Sequence, residues 1–158
     1  MSTKQNLYVG RAGQMAVMAE FLWRGWNTAL PEVDLGDDVF VVKDDSGDLS
    51  RIQVKTATAR PQRNGYSARF RVTLQQLRTP RTPDLIYVFA VRGPSGWEPF
   101  VIISRDALLN EHELQGVGSV NAESVVFRFV FSGARLSCSG RNLTTFRSDW
   151  SRWPVLAH

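Results

Sequence analysis

The sequence predicts an α/β fold with a mixed central sheet flanked by helices, and three features lead to that expectation. Met15, Val17, Met18, Phe21 and Leu22 recur at helical spacing between Gly13 and Gly25. A strand, turn, strand pattern follows at 38–58, with the turn formers Asp44-Asp-Ser-Gly-Asp48 at its centre. The segment Asp84-Leu-Ile-Tyr-Val-Phe-Ala-Val91 is a continuous apolar run, suited to a strand covered on both faces.

Taken in chain order, the helical spacing predicts an amphipathic helix over Ala12 to Gly25, which Pro31 keeps from continuing. Asp38 to Val42 and Leu49 to Thr58 form the two arms of a hairpin. Phe70 to Thr73 reads as a third strand leading into a short helix at Leu74 to Arg78, terminated by the Thr-Pro pairs at 79–83. After the central strand come the turn Arg92-Gly-Pro-Ser-Gly96, a strand from Trp97 to Ser104 and a brief helix from Arg105 to His112. Val125 to Phe131 places Phe127, Phe129 and Phe131 on one face, as a half-buried strand does. From about residue 133 the chain reads as a tail rich in Arg and Trp.

With 158 residues the chain suits one domain over 1–158, and 43% apolar with 22% charged residues excludes disorder for its body. Cys138 has no second cysteine to pair with, and with only His112 and His158 beside it no Cys/His zinc site can be assembled. No apolar run approaches the ~18 residues of a membrane span. Met1 is followed by Ser-Thr-Lys-Gln-Asn rather than by the apolar stretch of a signal peptide. A cytoplasmic location is the resulting expectation.

The net charge is +4, and its distribution is more informative than its size. Seven acids (Glu32, Asp34, Asp37, Asp38, Asp44, Asp45, Asp48) face one base, Lys43, between residues 32 and 48. From Leu49 to Pro83 there are eight bases and no acid. Carboxylates can hold a divalent cation and guanidinium groups can hold phosphates, so the adjacency suggests a metal-assisted site on a polyanion. A solvated acidic turn beside a solvated basic surface would give the same pattern.

The hairpin narrows this choice. Opposed residues of an antiparallel pair have position numbers of constant sum, and an even loop makes that sum odd. A four-residue loop at 44–47 gives 91 and sets Asp38 opposite Gln53; a two-residue loop at Ser46 and Gly47 gives 93 and sets Asp38 opposite Lys55. Either register brings Asp38, Gln53 and Lys55 to one face. A carboxylate and an amide oxygen there can share a magnesium ion with waters and phosphate, and an ammonium group can stabilise a phosphorane or orient hydroxide. Asp37 would point to the other face if the strand has begun there, and Asp34 either helps from the preceding loop or only caps a turn. The structural alternative is a surface hairpin with a Lys–Asp pair worth about 0 to 1 kcal/mol.

Gly13-Gln14 in the helix, Gly25-Trp26 after it, Asp34-Leu-Gly-Asp-Asp-Val39 and Ile52-Gln-Val-Lys-Thr56 together resemble the PD-(D/E)XK nuclease superfamily, in a variant with a QxK tripeptide. The resemblance implies a restriction-endonuclease-like αβββαβ core and metal-dependent hydrolysis of DNA phosphodiesters, with Mg2+ as cofactor and Mn2+ able to substitute. It implies catalytic roles for Asp38, Gln53, Lys55 and Gln14, with Asp38 and Gln53 as metal ligands; Gln14 heads the core-facing stripe of the helix, where its alternative is a bond to backbone. The acid-free basic run from Leu49 to Pro83 offers Arg51, Arg60, Arg63 and Arg69 to DNA, and the resemblance adds Gln76, although Gln75 and Gln76 also suit an ordinary exposed helix face. A homodimer follows by family analogy. The principal alternative is a catalytically inactive nuclease-fold module that binds nucleic acid or mediates protein interaction. Arg141, Arg147 and Arg152 with Trp150 and Trp153 could grip distorted DNA, or the tryptophans could anchor the C-terminal segment by packing.

Overall fold

The computed structural model describes residues 2–157. Helix α1 spans Thr3–Trp23 and starts well before the predicted Ala12. Thr3 to Asn6 are polar and exposed, so hydrophobic spacing could not reveal them. The signal they do carry is a cap: the Ser2 hydroxyl accepts from the Gln5 backbone N–H at 3.2 Å, in a Ser-x-x-Gln arrangement.

Strands β1 (Asn27–Ala29), β2 (Val39–Val42) and β3 (Leu49–Thr58) follow, then β4 (Arg60–Gln62), β5 (Gly65–Thr73), α2 (Leu74–Arg78), β6 (Leu85–Arg92), β7 (Val101–Ser104) and α3 (Arg105–Gln115). The chain closes with β8 (Ser119–Asn121), β9 (Ser124–Ser132), β10 (Arg135–Cys138), β11 (Arg141–Asn142) and a short 3-10 helix at Thr144–Phe146. The helix, three-strand, helix, strand order is present, with the β4–β5 hairpin inserted before α2. The first sheet runs β1-β2-β3-β6-β7 and is mixed: β3 and β6 are parallel, and the other neighbours are antiparallel.

The departure from expectation is a second, antiparallel sheet, ordered β11-β10-β9-β5-β4 with β8 on the free part of β9. The strand around Phe70 and the one carrying Phe127 to Phe131 pair with each other in this sheet, not with the hairpin. Alternation marks both as half-buried strands, but nothing in a single strand's pattern names its partner. The predicted tail is likewise part of the fold. Leu136 and Cys138 are buried, and Trp153 is 1% exposed with its ring 5.0 Å from Phe21, the packing alternative of the two considered.

Strand β6 separates two cores. Ile86, Val88 and Ala90 face α1 through Val17 and Phe21, whereas Leu85, Tyr87, Phe89 and Val91 face the second sheet. Phe89 lies 4.8 Å from Phe70 and 5.0 Å from Phe129, which ties the two sheets together. Truncating a ring so placed costs about 3–5 kcal/mol. Buried Arg105 locks the C-terminal end of α2 by donating to both Asp84 oxygens at 2.9 Å and to the Leu77 carbonyl at 2.7 Å.

Candidate active site

The β2–β3 register pairs Val39 with Ile52 and Val42 with Leu49, and the Lys43 N–H donates to the Asp48 carbonyl at 3.0 Å across a four-residue loop. This is the register of sum 91, so Asp38 stands opposite Gln53. The Asp38 N–H still donates to the Ile52 carbonyl at 2.8 Å, but β2 ends here and the next N–H of β3 needs another acceptor. The Asp38 carboxylate supplies it: Oδ2 accepts from the Val54 N–H at 2.8 Å and from Gln53 Nε2 at 2.7 Å. Oδ1 accepts no hydrogen bond among the described residues.

Lys55 lies two residues beyond Gln53 on the same face, half-buried, and its ammonium makes no ion pair within 4.0 Å among the described residues. Burial pushes its pKa down, opposed by the fields of Asp38 and Asp34. Burial also pushes the Asp38 pKa up, against the Val54 N–H and Lys55. Each charge is thus poorly solvated and held by the other's field, a condition common at reactive centres.

Gln14 reaches the hairpin from α1. Its Nε2 donates to the Asp38 carbonyl at 2.9 Å and its Oε1 accepts from Arg11 at 2.5 Å, so the backbone it bonds is that of the central aspartate. Gln76 enters from the opposite side, although α2 is a single turn, capped by Thr73. Gln76 Nε2 donates to the Gly36 carbonyl at 3.1 Å and approaches Gln53 Oε1 at 3.5 Å, while its own Oε1 accepts from the Tyr87 hydroxyl at 3.0 Å. Tyr87, Gln76, Gln53 and Asp38 form one directed chain of donors ending on the carboxylate.

The 34–38 loop is clamped in place. Asp37 is 3% exposed and pairs with Arg51 at 2.8 Å and with Arg81, which also donates to the Leu35 carbonyl. Gly36 has φ +96, and a Cβ there would lie 2.9 Å from Gln76 Nε2, so glycine answers both the backbone angle and the close approach. Asp34 caps the turn by accepting from the Gly36 N–H at 2.8 Å.

Among the described residues no three His, Cys, Asp or Glu side chains gather in one place. The Asp38 carboxylate offers an open Oδ1, while the Gln53 amide turns its nitrogen to Asp38 and its oxygen toward Gln76. Hard oxygen donors of this kind, too few to fill a shell, fit a magnesium ion that keeps water and phosphate ligands.

A solved structure of a bacterial homing endonuclease, I-Ssp6803I, is similar over nearly the whole chain, with a TM-score of 0.57 at 19% identity over 96% of this chain and 90% of that one. The chain shares its overall fold, a mixed central sheet with flanking helices, with that enzyme. No protein-family model matches the sequence, and no curated protein matches it.

The predicted residues fall into three places in this fold. Asp38, Gln53, Lys55, Gln14 and Gln76 converge. Arg60, Arg63 and Arg69 are exposed on or beside the β4–β5 hairpin, outside that cluster. Arg51 stands apart from these arginines, since its guanidinium is engaged by Asp37. The residues that sequence reasoning missed are Gly36, Asp37, Arg81 and Tyr87. An Asp-x-Gly turn flags Gly36, but no sequence signal links Asp37 to Arg81 or Tyr87 to Gln76.

No helix among the described residues is long and apolar enough to cross a membrane.

Proposed function

We propose that the chain is a metal-dependent endonuclease that hydrolyses DNA phosphodiester bonds at the Asp38, Gln53 and Lys55 face of the β2–β3 hairpin. The observation that carries the reading is the meeting of a half-buried carboxylate, an amide and an unpaired ammonium group on one strand face of a fold shared with a homing endonuclease. Asp38 Oδ1 is the atom that would hold Mg2+ or Mn2+, with Gln53 Oε1 able to join it once the amide turns over from Gln76; the bound ion would supply electrostatic activation of the scissile phosphate and of water. Hydrolysis joins a water oxygen to phosphorus and breaks one P–O ester bond, with a proton passing to the departing alcohol. The Lys55 ammonium is placed to offset charge that builds on the phosphoryl oxygens, at low local dielectric where that contribution is large. Gln14, Gln76 and the Arg51–Asp37–Arg81 group hold the loop and backbone that aim Asp38.

A second reading, a catalytically inactive module on the same fold, draws support from one feature. Gln53 already satisfies Asp38 as a donor, so the aspartate has a stable partner without any cation. Incubation of supercoiled plasmid and of linear, branched and single-stranded DNA with the purified protein in Mg2+, Mn2+ or EDTA separates the readings. Cleavage in the metal arms and none in EDTA supports the endonuclease. Binding without cleavage in every arm supports the module. Two copies acting together, one per strand, are part of the first reading.

A further inference from the structure

The six strands of the second sheet contain six arginines and no aspartate, glutamate or lysine. Its inner face is the phenylalanine-rich core, so the charged side chains of β5 and β9 stand on the outer face. There Arg69 is directly opposite Arg128 in the antiparallel ladder, both exposed, with Arg71 beside them on β5. Like charges facing each other across a sheet are destabilising, and no acid on these strands relieves them. Among the described residues Arg128 donates to the Gln62 amide oxygen, at 3.3 Å, and neither Arg69 nor Arg71 makes an ion pair. A depression of about 470 Å³ beside Arg69 and Arg71 is lined further by Ser119 and Asn121, which can bond phosphate oxygens.

We propose that this outer face, centred on Arg69, Arg71 and Arg128, is a docking surface for duplex DNA. The inference rests on the endonuclease reading for the choice of DNA, and on the unrelieved arginine pair for the surface itself. Guanidinium groups suit it because they engage phosphate or guanine edges bidentately. Arg71 precedes Gln76 by five residues, at most about 18 Å of chain, so both lie within the roughly 34 Å of one duplex turn. Arg128 is far from this stretch in sequence, and only the β5–β9 pairing adds it.

Equilibrium binding of a fluorescent duplex in EDTA, titrated over salt, tests the proposal with wild type, Arg71→Gln and the double variant Arg69→Gln, Arg128→Gln. The expected result is a log–log salt slope shallower by about 0.9 for each phosphate that the variant no longer neutralises, with weaker affinity at every salt concentration. Melting should be unchanged or raised, because a repulsive pair is removed. Unaltered affinity and slope in the double variant overturn the proposal, and the endonuclease reading then survives if the wild type still cleaves. Loss of binding in the variants with no wild-type cleavage under any metal keeps the surface and removes the endonuclease reading.

Helix α1 presents a separate unpartnered surface. Gly13, Val17 and Phe21 face the protein, while Tyr8, Ala12, Met15, Ala19 and Leu22 are all exposed and alternate by four and three, the spacing of a heptad seam. Tyr8 is 69%, Met15 40%, Leu22 54% and neighbouring Trp23 79% exposed. A helix apolar on two sides is normally covered on both. With aromatics contributing about 150–250 Å² each when fully covered, this stripe with Leu7 offers about 600 Å², near the ~800 Å² per partner of a standard interface.

We infer that a second copy of the chain covers it, with the two α1 helices antiparallel. That pairing sets Ala12 and Ala19 against the large residues of the partner's seam, small against large, under a two-fold axis. Sedimentation equilibrium at micromolar concentration should give a dimer for wild type and a monomer for the double variant Met15→Glu, Ala19→Glu and for Tyr8→Lys, with helical circular dichroism retained. A monomeric wild type, or variants that remain dimeric, overturn the inference whether or not the protein cleaves DNA.

Discussion

Gln53 donates to Asp38 at 2.7 Å, so the residue at the acidic place of the tripeptide is a partner of the carboxylate rather than a second charge. The same bond orients the Gln53 oxygen toward Gln76 and away from Asp38. The response of the site to a cation is therefore governed by a single negative ligand.

Gln53→Glu reverses this. Two carboxylates at hydrogen-bond distance cannot both ionise freely, so one must bind a proton or a cation. The variant should melt a few degrees below wild type in EDTA and recover in Mg2+, with tighter metal binding than wild type. Calorimetric titration of Mg2+ and melting in the two buffers measure both effects.

Asp38→Asn should stabilise the metal-free protein at neutral pH. The folded-state pKa of Asp38 is raised, so its contribution to stability is fully present below the ordinary carboxylate value and is lost as pH rises through the raised one. At pH 7 the buried charge is a cost that the amide lacks, while the amide oxygen can still accept from Val54 and Gln53. Melting in EDTA should favour the variant at pH 7, and the gap should narrow toward about pH 4.

The Asp84–Arg105 pair has the opposite sign. The Arg105 bonds hold the Asp84 pKa below its ordinary value, so the stabilisation is present above that value and disappears as pH falls through the lowered one. Asp84→Ala leaves buried Arg105 without its carboxylate and should cost roughly 3 kcal/mol, about 10 °C in melting midpoint. Chemical denaturation at pH 7 gives the first number. Repeating it under acid conditions should shrink the difference.

The hairpin of this fold was legible because strand parity is a two-valued question. Any even loop places Asp38, Gln53 and Lys55 together, and the Asp44 to Gly47 turn supplies one. Gln76 was visible only as a candidate, since its approach to Gln53 depends on how a five-residue helix is carried by β5. The second sheet was not legible: Phe127, Phe129 and Phe131 announce a half-buried strand, but the partner that buries them is chosen by tertiary packing of Phe70 and Phe89. Asp37 was read by its place in an acidic run, whereas its neutralisation comes from Arg81, brought across by the turn before β6. Charge runs in sequence therefore overstated the acidity of the loop and missed Arg128 as a neighbour of Arg69.

Cleavage of plasmid DNA by wild type and by Lys55→Ala, at saturating Mg2+ or Mn2+, tests the central claim most directly. Among the described residues Lys55 has no ion pair to lose, so the variant should fold and bind DNA much as wild type does, while cleavage disappears. Equal cleavage rates for the two proteins would contradict the account, because any hydrolysis observed would then arise without the ammonium group that the Asp38 and Gln53 face holds in place.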